Sequence, residues 1–78
     1  MAMRYHNKTI LLTEVVGVEE AEELLGLLQK HPNAKLDLSA CVHLHTANLQ
    51  VLMATRAKIK AWPADARLAQ WLHVALTA

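Results

Sequence analysis

The sequence predicts a single α/β domain of order ββαβαβα, a four-stranded mixed sheet with helices mainly on one face. Three observations carry that prediction. Over residues 36–44, Leu36, Leu38, Ala40, Val42 and Leu44 alternate with Asp37, Ser39, Cys41 and His43, the period of a strand. In two other stretches, Val18 with Ala21, Leu24, Leu25 and Leu28, and Leu68 with Trp71, Leu72, Ala75 and Leu76, apolar residues recur every three or four positions. That is the period of a helix with one buried face. Gly17, Pro32-Asn33 and Pro63 stand where the period changes, as chain breakers should.

Each element follows in order. Residues 3–6 and 9–16 read as two strands joined by Asn7-Lys8, because Asn tolerates the left-handed backbone of a tight hairpin. Gly17 ends the second strand, and the first helix begins with Glu19, Glu20, Glu22 and Glu23 at the positive end of its dipole. Lys30 and His31 complement its other end, and Pro32-Asn33 stop it. The central strand covers 36–44, and a second helix with Leu49, Leu52 and Met53 runs from Thr46 to about Ala57. Residues 58–62 alternate as a short strand, and Pro63 fits the first turn of the last helix, where its missing donor costs nothing. Parallel neighbours with right-handed crossovers follow from the strand–helix–strand units. The opening hairpin supplies the antiparallel pair.

Composition narrows the functions. A chain of 78 residues is expected to be one domain, residues 1–78. Its core must be aliphatic, since there are two Trp, one Tyr and no Phe in a chain that is 54% hydrophobic. Such a core leaves little room for a deep cofactor site, so no cofactor is expected. A net charge of +1 supplies no field for nucleic acid or an anionic membrane. The charge is nonetheless segregated: Glu14, Glu19, Glu20, Glu22 and Glu23 come early, and Arg56, Lys58 and Lys60 come late. Segregation at low net charge suits association with another protein or with a second copy. One cysteine, no basic-then-apolar leader and no long apolar run point to a cytoplasmic protein without membrane insertion.

Few residues offer chemistry. Thr46, at a helix start just past a strand, reads first as an N-cap and second as a hydroxyl open to phosphorylation. Cys41, His43 and His45, spaced by two, share one face of a regular strand and could be offered to zinc or copper. Their successive spacing of about 6–7 Å requires the strand to curl or a second chain to contribute. No orienting carboxylate, Gly-rich turn, phosphate loop or dinucleotide fingerprint accompanies them, so an enzyme is not expected. Trp71 falls on the last helix's apolar stripe and reads as core, whereas Trp62 reads as the more exposed of the two.

The string Leu36-Asp37-Leu38-Ser39, followed by His45-Thr46-Ala47-Asn48-Leu49 leading into an apolar helix, resembles the STAS domain (sulfate transporter and anti-sigma factor antagonist). That family shows an apolar-Asp-Leu-Ser strand end, then Asp-Ser/Thr-Ser/Ala-Gly-Leu opening the next helix. The likeness covers most of the chain and thins after Arg56. It implies a STAS-like fold and a small cytoplasmic protein-interaction module. The implied partner is a regulatory kinase, an anti-sigma factor or a transporter subunit. By this resemblance Thr46 falls on the phosphoacceptor, His45 on the family acid and Asn48 on the family glycine. The implied contact surface is His43, His45, Thr46, Asn48 and Gln50. The residues themselves leave two other readings open: a metal- or small-ligand-binding regulator using Cys41, His43 and His45, and a homo-oligomeric structural domain.

Overall fold

The structure, a computed structural model, describes residues 3–77. Its strands are β1 (Met3–His6), β2 (Thr9–Leu12), β3 (Glu14–Val16), β4 (Lys35–Asp37), β5 (Cys41–Leu44) and β6 (Lys58–Ala61). Its helices are α1 (Ala21–Lys30), entered through a 3-10 turn at Val18–Glu20, α2 (Thr46–Thr55) and α3 (Ala66–Thr77). A four-stranded sheet runs β1-β2-β4-β6, and β3 pairs with β5 as a separate two-stranded sheet. β1 and β2 are antiparallel, while the other neighbours are parallel. The compact α/β domain with its four-stranded mixed sheet and three helices matches the expected class.

The expected hairpin turn is there for the expected reason. Asn7 and Lys8 both take positive φ, 50° and 61°, the pair of left-handed residues that a two-residue hairpin with the right twist requires.

Side-chain parity then splits the sheet into two unlike faces. Met3 and Tyr5 on β1, Ile10 and Leu12 on β2, Leu36 on β4 and Ile59 on β6 face one way in register. There they join one core with Leu24 and Leu28 of α1, Leu49 and Leu52 of α2, and Leu68 and Leu72 of α3. Each fully buried leucine contributes about 1.5–3 kcal/mol relative to exposure, so this aliphatic layer holds the helices to the sheet. Of the alternate residues, Arg4, His6, Lys35 and Lys58 are exposed, Leu11 and Asp37 are half-buried, and Thr9 is buried among its neighbours.

Two expected strands are each interrupted, which corrects the simple order. The strand expected over 9–16 breaks after Leu12, and Glu14 adopts φ 57°. The strand expected over 36–44 breaks after Asp37, whose Oδ1 accepts from the Ser39 backbone N–H (3.0 Å) and hydroxyl (2.6 Å). This local turn competes with the ladder, as short polar side chains do. The two breaks lie side by side, bridged by Glu14 N–H donating to Ala40 O at 2.8 Å.

Other boundaries shift for identifiable reasons. α3 begins at Ala66 because Asp65 Oδ1 accepts from the Arg67 and Leu68 N–H groups, a better cap than Pro63 could offer. Pro63 is buried just before it. α2 ends at Thr55, where Arg56 takes the left-handed cap position (φ 53°) usually given to glycine. Val18, expected on the buried stripe, lies in the 3-10 entry and is exposed.

Candidate functional site

β3 and β5 run parallel and side by side, so the two segments that follow them, the entry to α1 and the start of α2, also lie together. The ladder ends with His45 N–H donating to Val16 O at 2.9 Å. His45 is the N-cap of α2: its backbone is extended (φ −65°, ψ 146°) and its Nδ1 accepts from Ala47 N–H at 3.0 Å. An imidazole nitrogen that accepts is unprotonated, which puts the ring proton on Nε2. Thr46 is therefore not the cap. It is the first helical residue, exposed, and its hydroxyl makes no hydrogen bond among the described residues.

Asn48 was expected at the contact surface and is instead fully buried. Its Nδ2 donates to Gly17 O at 2.7 Å and reaches Val16 O at 3.4 Å, tying the first turn of α2 to the end of β3. A glycine at that position could not make the tie. Glu20 Oε1 closes the same junction from the other side by accepting from Gly17 N–H at 3.0 Å. Asn48 Oδ1 and Glu20 Oε2 are buried without a donor among the described residues.

The expected shared face of Cys41, His43 and His45 is overturned. β3 and β5 pair Glu14 with Cys41 but Val15 with His43, so Val42 is the extra residue of a bulge. The bulge resets the alternation. Cys41 turns into the core at 2% exposure, while Val42 and His43 are exposed. Cys41 Sγ donates to His43 O at 3.4 Å, and burial pushes its thiol above the ordinary value, so the protonated form is held. Among the described residues no three His, Cys, Asp or Glu side chains gather as a metal site would need.

What the corner does assemble is a shallow depression of about 420 Å³ lined by His43, Leu44, His45, Thr46, Leu68 and Trp71. Three of the expected contact residues, His43, His45 and Thr46, meet there; Gln50 is exposed farther along α2 and does not line it. Val15, paired with His43 across the ladder, is 55% exposed. Trp71 was expected in the core and is 37% exposed, while Trp62 is half-buried and stacks on His73, with centroids 3.9 Å apart. The buried line of α3 is Leu68 and Leu72, and Trp71 flanks it. An amphipathic wheel marks such a flank as ambiguous, so position on the stripe's edge was the available signal.

The first turn of α2 holds no acidic side chain; its Ala47 N–H is taken by the His45 imidazole, and its Asn48 and Leu49 N–H groups by the His45 carbonyl at 2.9 and 3.2 Å. No helix among the described residues is long and apolar enough to cross a membrane. No family model matches the chain, and neither curated proteins nor solved structures yield a match.

Proposed function

We propose that this chain is a small STAS-like protein-interaction module that binds another protein at the corner where β5 enters α2. The observation that supports it is the Trp71 depression, in which an exposed aromatic side chain adjoins His43, His45 and the Thr46 hydroxyl. Aromatic anchors in shallow apolar surfaces carry much of the affinity of protein contacts. The partner class we favour is a regulatory kinase, an anti-sigma factor or a transporter subunit, met in the cytoplasm. Thr46 is the residue at which a kinase would act. A phosphate there would place nearly two negative charges at the positive end of the α2 dipole and change the partner's fit.

Affinity capture from native extract tests the reading with three baits. The unmodified chain and Gln29→Ala, an exposed substitution on α1, should retain the same protein. Trp71→Ala should lose it about tenfold or more, a hot-spot loss. Equal retention by Trp71→Ala would sink the proposed contact. Thr46→Glu then asks about phosphorylation alone: unchanged affinity for the recovered protein removes the switch and leaves the module.

A further inference from the structure

One face of the four-stranded sheet is left uncovered, and it is cationic. His6, Thr9, Lys35 and Lys58 stand in one register row across all four strands. Arg4, Leu11 and Asp37 form the next row, and Lys60 is the extra residue where β6 bulges against Leu36 and Asp37. Arg4, Lys35, Lys58 and Lys60 are all exposed. Lys35 and Lys60 share a depression of about 250 Å³ with Lys8, Asn7, Thr9 and Asn33, and no carboxylate lines it. Asp37 is the one acid on this face, and Ser39 already occupies its Oδ1.

The opposite side of the molecule is acidic. α1 turns Leu24 and Leu28 into the core, so its exposed Glu22 and Glu23, with Glu19 just before them, point away from the sheet. No Lys or Arg forms a salt bridge among the described residues. Like charges gathered on one face repel, and an opposed surface of the other sign relieves the repulsion. The sheet and its helical layer lie between these two patches, so one chain cannot bring its own together, whereas two chains can.

We propose that the open sheet face of one molecule docks the acidic start of α1 on a second copy, head to tail. A net charge of +1 leaves little overall repulsion to oppose it. Phosphate-backbone binding fits this face less well. Its one nearby tyrosine, Tyr5, faces the covered side and stacks on His31 with centroids 4.0 Å apart, so among the described residues of the open face only the His6 ring, at its edge strand, is offered for bases to stack on. The contact joins two different patches, so it does not close on itself as a twofold dimer would and runs on past two copies, as a ring or an open chain.

Light scattering on the purified full chain tests this. At about 20 mM salt the average mass should climb with concentration past the dimer, and at about 500 mM salt it should return to the monomer, since exposed pairs are screened over a few ångströms there. Lys58→Glu with Lys60→Glu should be monomeric, as should Glu22→Lys with Glu23→Lys. An equimolar mixture of the two variants should associate again, because each then presents the sign the other needs. If the cations fray α1, Glu22→Gln with Glu23→Gln weakens association without reversing the dipole, and circular dichroism confirms the helix. A monomer at low salt up to about 1 mM protein, where weak exposed pairs would still register, overturns the proposal. So does association that neither reversal alters, or a mixture that stays monomeric. Binding to heparin by an otherwise monomeric chain would give the face to polyanions instead.

Discussion

Two helices leave the same pair of parallel strands, and they treat their positive ends in opposite ways. α1 is entered through Gly17 and a turn of glutamates, one of which, Glu20, reaches back to the Gly17 N–H. Carboxylates thus meet the positive end of its dipole from within the chain. α2, a neighbour across the β3–β5 ladder, has no acid in its first turn and is capped by the imidazole of His45. A helix start whose dipole already meets carboxylates has little electrostatic pull left to offer. One without them, beside an exposed tryptophan, keeps its positive end and the Thr46 hydroxyl open to a negative group from outside the chain. The contrast locates the candidate site more sharply than either helix does alone.

Breaking the tie between the two starts should have the largest effect. Asn48→Ala removes the shorter of the two bonds to Gly17 O, leaving that carbonyl only the Glu20 N–H at 3.2 Å, and empties a fully buried site, together a loss of about 1–2 kcal/mol. The urea midpoint should fall accordingly; a change under about 0.5 kcal/mol would mean the tie contributes no more than an ordinary surface contact.

Making α2 resemble α1 should have the opposite sign. His45→Asp keeps a cap acceptor and adds negative charge at the helix start, so it should stabilise by about 0.5–1 kcal/mol. Thr46→Ala, by contrast, should shift stability by less than about 0.5 kcal/mol, because the hydroxyl caps nothing. Thermal melts of the two variants check both. A loss near 1 kcal/mol in Thr46→Ala would return the cap to Thr46.

The smallest effect concerns the turn that sets where β5 begins. The Ser39 hydroxyl, then its N–H, hold the Asp37 carboxyl below its ordinary 3.8. A lowered value means the turn stabilises the fold above pH 3.8 and loses that contribution as acid protonates Asp37. Acid titration of stability should therefore be slightly flatter below that pH in Asp37→Ala than in the parent chain.

How much of this was legible differs element by element. The hairpin was readable because Asn7 advertises its turn, and the helices because Leu24, Leu28, Leu68 and Leu72 keep a strict spacing. The two strand breaks were not readable. The alternation of apolar and polar residues continues unbroken through Ser39, Ala40 and Val42, so nothing in the pattern marks the local turn or the bulge. That single missed bulge explains why Cys41 and His43 were read as sharing a face. At the site, His43, His45 and Thr46 were found by position on the strand-to-helix turn. Asn48 and Trp71 exchanged places with expectation: a polar residue was drawn inward by its bond to the Gly17 carbonyl, and an aromatic one stayed at the stripe's edge.

The paired interruptions at Glu14 and Ser39–Ala40 have a consequence of their own. Because they fall side by side, the β3–β5 ladder shares no strand with the four-stranded sheet. The corner is thus a module grafted on a body. Substitutions at its exposed positions, Val15, Val42, His43 and His45, leave the ladder of the four-stranded sheet intact, which gives this surface freedom to diverge faster than the scaffold beneath it.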